Sequence, residues 1–210
     1  MPGLVHGLDA KRVRVNLERV RERAGADVEI LAATKYVPLE EMGVLAEAGV
    51  TLVGENRLQD LEAKRERWGG AFTWDFIGNL QSRKVKLILP LVRLIHSVAS
   101  DSALRQLERH AEPETEVLVE VNVAGEEKKG GIRPVELGPF IARCPVRVVG
   151  LATMPPFTTD PESSRPFFAR LAELAAEHGL PRLSMGSSQD WEVALEAGAT
   201  TLRLGTALYA

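Results

Sequence analysis

The chain has 210 residues, 45% of them hydrophobic and 26% charged, with a formal net charge of -3. That length suits one domain with a substantial core, and the lack of a basic run excludes a general polyanion-binding or nucleic-acid surface while leaving room for a local phosphate site. No segment approaches the roughly 18 apolar residues of a membrane span, the N-terminus lacks the apolar stretch of a signal peptide, and the single cysteine, Cys144, cannot form an internal disulfide, so a soluble cytoplasmic protein is expected.

Residues Ala10 to Ala24 read as a charged helix packed outside the rest of the domain. From Glu29 onward, short β-rich runs alternate with segments of helical periodicity. Glu29 to Thr34 is the first run, followed by a helix over Leu39 to Ala48 with a proline near its start and Gly49 just past its end. Thr51 to Gly54 is second, before a charged helix from about Arg57 to Arg67, and Thr73 to Gly78 is third, before Ser82 to Leu89. Leu94 to Val98 is fourth, with Asp101 as the expected cap of the helix to His110. Glu116 to Val123 is the longest run, and a helix around Pro134 to Ala142 follows. Arg147 to Leu151 leads into a Pro/Thr-rich loop and a helix over Pro161 to His178. Arg182 to Met185 precedes a helix over Trp191 to Ala197, and Thr200 to Leu204 is the eighth run. Eight strands alternating with helices imply a parallel sheet whose natural closure is a single (β/α)₈ TIM-type barrel spanning residues 1–210. An open doubly wound sheet fits less well, since no GxGxxG follows the first strand. Cys144 precedes a proline and a β-rich run, so it reads as a core or near-core thiol with no base partner in view.

In such a barrel the chemistry sits at the C-terminal ends of the strands. The residues just past each run are Lys35; Glu55 and Asn56; Gly78 and Asn79; His96 and Ser97; Asn122; Met154; Gly186, Ser187 and Ser188; and Arg203, Gly205 and Thr206. Lys35 ends an apolar run, so its stem should be enclosed and its amine should face the mouth. Lost hydration there lowers an amine's pKa and supplies the neutral form that makes an imine, although a surface lysine at a strand end is the bland alternative. Ser184-Met185-Gly186-Ser187-Ser188-Gln189-Asp190 links the seventh strand to a helix through small residues, presenting backbone N–H groups and hydroxyls to an anion. Leu204-Gly205-Thr206 has the same character, and barrels often hold phosphate between these two loops. Gly-Ser-Ser also fits a plain helix cap. An imine-forming lysine beside a phosphate cup suggests pyridoxal 5′-phosphate (PLP), or else an aldolase-type sugar-phosphate site.

At this point the motifs resemble a known family. Ala32-Ala33-Thr34-Lys35, Gly54-Glu55-Asn56-Arg57-Leu58-Gln59, Trp74 to Gln81, His96-Ser97-Val98, Val121-Asn122-Val123 through Ile132, Gly150-Leu151 and Leu183 to Asp190 through Arg203-Leu204-Gly205-Thr206-Ala207 occur in the order of the YggS/PROSC family of PLP homeostasis proteins. The resemblance implies a fold-type III PLP barrel like the alanine racemase N-terminal domain, with PLP covalently held by Lys35. It implies a cofactor-contacting set of Lys35, Asn56, Ile77, His96, Asn122, Met185, Gly186, Ser188, Arg203, Gly205 and Thr206. Within it Gly186, Ser188, Gly205 and Thr206 hold the phosphate, Arg203 faces the pyridine nitrogen and Asn56 lies near the ring. A cation at that nitrogen disfavours its protonation and makes the cofactor a poorer electron sink. Val37 stands where many members carry a second lysine, and Ala152 and Ser187 replace common methionines. Lys129 matches a family lysine, though a solvated loop lysine beside Lys128 explains it equally.

Racemisation needs acid/base groups on both faces of a substrate α-carbon. The two tyrosines are Tyr36, expected to point away from Lys35 on a strand, and Tyr209 near the C-terminus. His96 is expected at the mouth, hydrogen-bonded within the barrel. The expectation is therefore a monomeric PLP carrier or regulator without robust catalysis, whose implied recipients are apo PLP-dependent enzymes. A weak amino-acid racemase is the rival, and a PLP-free imine-forming aldolase a third reading. No metal site is expected.

Overall fold

The computed structural model describes residues 4–127 and 129–210. Met1 to Gly3 and Lys128, within the span expected to form the domain, lie outside the described residues. Eight parallel strands close into a barrel in sequence order, β1 (Glu29–Ala33), β2 (Leu52–Glu55), β3 (Thr73–Phe76), β4 (Leu94–Val98), β5 (Glu116–Glu120), β6 (Arg147–Ala152), β7 (Arg182–Ser184) and β8 (Thr201–Leu204). The closure is direct: β1 pairs with β8 from Glu29↔Thr201 to Ala32↔Leu204. The intervening helices are α1 (Ala10–Ala24) before the barrel, α2 (Met42–Glu47), α3 (Leu58–Trp68), α4 (Val85–Ile88), α5 (Asp101–His110), α6 (Leu137–Ala142), α7 (Arg165–Glu177) and α8 (Trp191–Glu196), with the short α9 (Thr206–Tyr209) after β8. The expected (β/α)₈ barrel is what the chain forms.

The alternation has a simple cause. Each strand is covered by helices on one side and by other strands across the barrel on the other, so it reads as a continuous apolar run rather than an alternating one. The main core joins the outer strand faces to the helices through Trp74, Phe76, Phe140 and Phe168, all buried. A smaller apolar cluster of Leu94, Leu118, Val149 and Ala152 sits among β4, β5 and β6. Helix α1 buries Val13, Leu17 and Val20 on one face. It lies against the chain's end, where the Asn16 amide donates to the carbonyls of Leu208 and Ala210 at 3.1 and 2.9 Å.

Two local expectations need correction, and one element is added. The fifth strand stops at Glu120, and the chain beyond it makes only a bridge from Val121 to Ile132, because the ladder partner β6 ends at Ala152. The cap of α5 is Ser100, whose hydroxyl accepts from the Ala103 amide at 3.2 Å, and Asp101 is instead the first helical residue. Helix α9 was hidden in the sequence because four residues are too few to show a period. Among the described residues no helix is long and apolar enough to cross a membrane.

Candidate functional site

The chain segments that leave the C-terminal ends of β1, β2, β3, β6, β7 and β8 surround a cavity of about 670 Å³. Lys35, Asn56, Ile77, Ser188, Arg203, Gly205 and Thr206 all line it, so these expected site residues converge from five strands. His96, Asn122, Met185 and Gly186 do not line it.

Lys35 differs from its expected setting. It sits in a turn past β1 rather than on the strand, and its side chain is exposed, not enclosed. The turn also overrides strand alternation. Tyr36 therefore does not point away: the Lys35 Nζ lies 5.0 Å from its ring centroid, and both residues face the cavity. The turn is anchored from below. The Thr34 carbonyl accepts from the Val37 amide at 2.8 Å, the Tyr36 carbonyl from the Val5 amide at 2.8 Å, and the Ala33 carbonyl from the Tyr209 hydroxyl at 3.2 Å. Tyr209 is itself buried, and burial, with the charge of Glu55 added, pushes its hydroxyl pKa well above the ordinary range.

On the same cavity, the turns after β7 and β8 are tied to each other, and the second adjoins the end of β1 through the β1–β8 pairing. The Ser188 hydroxyl oxygen accepts from the amides of Gly205 and Ala207, at 2.9 and 3.0 Å. Asp190 organises the first turn, its carboxylate accepting from the Ser187 amide at 2.7 Å, the Ser187 hydroxyl at 2.9 Å and the Ser164 hydroxyl at 2.9 Å. The backbone amides of Ser188, Gln189 and Thr206 have no acceptor among the described residues. The two turns thus present N–H groups and hydroxyls to one side of the cavity, the chemistry of an anion cup. Gly186 shapes the cup from behind. Its φ of +87° is a left-handed conformation, and a Cβ there would lie 2.6 Å from the Ala194 Cβ. Met185 is fully buried beneath it.

Arg203 enters from β8 and is buried. Its Nη1 donates to the Ser184 carbonyl and hydroxyl, at 2.5 and 2.6 Å, and its Nη2 donates to the Thr153 carbonyl at 2.7 Å. Nε has no protein acceptor among the described residues. Burial pulls the guanidinium pKa below its usual value, with Glu120 and Asp190 opposing. Glu120 responds in the reverse sense: burial raises its carboxyl pKa against the pull of Arg203 and Lys129.

Beneath Arg203 runs a line of polar contacts. His96 is 2% exposed, inside the barrel rather than at the mouth, because it occupies the middle of β4. Its Nδ1 lies 2.8 Å from the Ser184 Oγ and its Nε2 3.1 Å from Asp75 Oδ2. The Asp75 carboxylate also accepts from Arg93, at 3.0 and 2.7 Å, and Arg93 further pairs with Glu29. Since β4 and β7 are not neighbours in the sheet, His96 and Ser184 can meet only across the interior. One hydrogen pattern satisfies every group: Arg203 donates to Ser184, Ser184 donates to His96 Nδ1, and His96 Nε2–H donates to Asp75. Burial depresses the imidazole pKa, Arg203 and Arg93 add to this, and Asp75 opposes it, so His96 is held neutral. Asn122 is spent locally, its amide exchanging hydrogen bonds with the Glu126 backbone at 2.8 and 3.2 Å. Lys129 pairs with Glu126 at 2.6 Å. Cys144 is half-buried, and burial raises its thiol pKa, which suits a packing residue.

The chain matches the family model "Alanine racemase, N-terminal domain" over residues 8–210. It is 40% identical to the pyridoxal phosphate homeostasis protein of Aquifex aeolicus, with 94% of each chain covered. It is 34% identical to the protein of the same name from Vibrio cholerae, over 89% of this chain and 86% of the relative. The chain belongs to the pyridoxal phosphate homeostasis protein family. Among solved structures, PipY of Synechococcus elongatus superposes with a TM-score of 0.85 without PLP and 0.82 with PLP bound, at 28% identity over 94% of this chain and 100% of PipY. The alanine racemase of Corynebacterium glutamicum shares the fold alone, with a TM-score of 0.76 at 17% identity over 63% of its length.

Some cavity residues escaped sequence reasoning. Val5, Phe157, Thr158 and Thr159 line the cavity from a chain end and a loop, where no period assigns a direction. Lys64 did leave a signal: it follows Leu58 and Leu61 on the buried face of α3, where the spacing calls for an apolar residue.

Proposed function

We propose that this chain binds PLP in the barrel-mouth cavity, linked to Lys35 as a Schiff base, and serves intracellular PLP homeostasis by holding or delivering the cofactor in the cytoplasm. What carries the reading is the placement of an exposed lysine and two amide-rich turns on one cavity. The residues present fit the group. The free amides of Ser188, Gln189 and Thr206 suit its phosphate, and the Asn56 Oδ1, a buried acceptor with no partner among the described residues, suits a hydroxyl or protonated oxygen. The cavity-lining Arg203, with Nε unengaged, suits an unprotonated ring nitrogen. When bound, PLP supplies a reactive aldehyde and an electron-withdrawing ring. In this assignment Ile77 packs against the ring. Gly186 and Met185 shape the cup, His96 acts through Ser184 and Arg203, and Asn122 sets the β5 loop. The homeostasis role follows the names of the curated relatives and the PLP seen in PipY.

The position of Tyr36 gives the racemase reading more footing than the sequence did. Yet Tyr36 and Lys35 leave the same turn and approach from one side, whereas α-proton exchange with inversion requires bases on opposite faces. Tyr209 is committed to the Ala33 carbonyl. A carrier remains the better fit, acting as a monomer toward apo PLP-dependent enzymes. The test is a visible spectrum of the purified protein, then timed transfer of PLP to an apo-enzyme against free PLP at equal concentration. A Schiff-base band lost in Lys35→Ala is expected. Its survival in that variant would refute the assignment, and multiple-turnover α-proton exchange with alanine would replace carrier by racemase.

A further inference from the structure

Behind the cavity lies an ion pair that the cofactor assignment leaves unused. Lys64 is 5% exposed and Glu55 fully buried, and their charged atoms are 2.5 Å apart. The Lys64 Nζ also donates to the Thr34 carbonyl at 2.7 Å, and the Thr34 hydroxyl donates to the same Glu55 oxygen at 2.6 Å and to the Gly54 carbonyl at 3.2 Å. The other Glu55 oxygen accepts from the Asn56 amide at 3.3 Å. Lys64 does not line the cavity, so it is not a second attachment point.

The connectivity is specific. The Thr34 carbonyl belongs to the peptide unit that leads into Lys35, and the Asn56 amide belongs to the residue whose side chain borders the cavity on the next strand. One buried pair thus grips the backbone immediately before Lys35 and the backbone of Asn56 together. A buried pair is a poor source of net stability compared with apolar packing, so its retention on the core face of α3 calls for another role. We infer that Lys64, through Glu55 and Thr34, is a positioning residue that holds the Lys35 turn in the orientation from which its amine reaches a carbonyl in the cavity. This rests on the PLP reading and adds a residue to it.

The test uses the double variant Glu55→Gln/Lys64→Met, which leaves no unpaired buried charge and keeps the Val37 amide on the Thr34 carbonyl. Two probes separate position from integrity. Pyridoxine 5′-phosphate fills the same cup but has no aldehyde, whereas pyridoxal 5′-phosphate also requires the Lys35 amine. The expected result is unchanged affinity for pyridoxine 5′-phosphate with attachment of pyridoxal 5′-phosphate slowed roughly tenfold or more, the scale on which misplacement acts. Attachment at the parent rate, or equal loss with both probes, would overturn the positioning role. A parent protein that attaches no pyridoxal 5′-phosphate, or attaches it equally well after Lys35→Ala, would instead refute the cofactor reading itself.

Discussion

Ser184→Ala removes a hydroxyl that serves two masters, receiving from Arg203 at 2.6 Å and giving to His96 at 2.8 Å. Arg203 keeps the Ser184 and Thr153 carbonyls, so its loss is one charge-assisted bond, about 1.5–3 kcal/mol at most. His96 fares worse. Its Nε2–H is committed to Asp75, so the ring cannot switch tautomer to hide Nδ1, and at 2% exposure water does not reach it. An orphaned buried acceptor costs about 1–3 kcal/mol. Because Arg203 retains two acceptors, we expect a total of about 2–4 kcal/mol rather than the full sum. For a chain of this size that lowers the melting temperature by roughly 4–15 °C. Urea unfolding of the parent and Ser184→Ala proteins measures the difference, with exposed Thr159→Ala as the control. Adding His96→Leu should recover part of the loss, since no unpaired nitrogen remains. A loss under about 1 kcal/mol for Ser184→Ala, or strictly additive behaviour in the pair, would refute the hydrogen pattern assigned to this line.

His96 also sets a pH dependence. Its folded-state pKa lies below the ordinary 6.5, so the unfolded chain takes up a proton first as pH falls. The stability it confers is present in full above pH 6.5 and is lost as pH falls through the folded-state value. Unfolding free energies measured across that window should therefore decline less steeply in His96→Gln, and an unchanged slope would count against a neutral buried imidazole. Gly78→Ala addresses the cavity wall. A Cβ there would lie 2.0 Å from the Asn56 carbonyl oxygen, which is backbone and cannot swing aside. The β2 and β3 ends must separate, costing about 1–3 kcal/mol in unfolding assays and weakening PLP binding in a spectrophotometric titration. Wild-type behaviour in both would mean the two strand ends yield freely.

Much of this protein is readable before folding. The order of apolar runs and helices determines the barrel, because a strand buried on both faces must be apolar throughout and a parallel neighbour requires a crossover. Once the barrel is granted, the strand ends nominate Lys35, Asn56, Ser188, Arg203 and Thr206, and the cavity indeed gathers them. What the sequence could not decide is direction and partnership. Strand logic turned Tyr36 away from Lys35, but the chain has already left the strand there, and a turn follows its own dihedrals. His96 was expected at the mouth although it stands in the middle of the run Leu94 to Val98, and the barrel keeps it in mid-strand and buried. Its contacts with Ser184 and Asp75 span 88 and 21 residues of sequence. Lys64 read as one more charge on a charged helix, and only packing against β1 and β2 shows it gripping the peptide before Lys35. Local chemistry sets which elements form. Which buried polar groups answer one another depends on barrel closure, since only closure brings strands far apart in sequence within hydrogen-bonding reach.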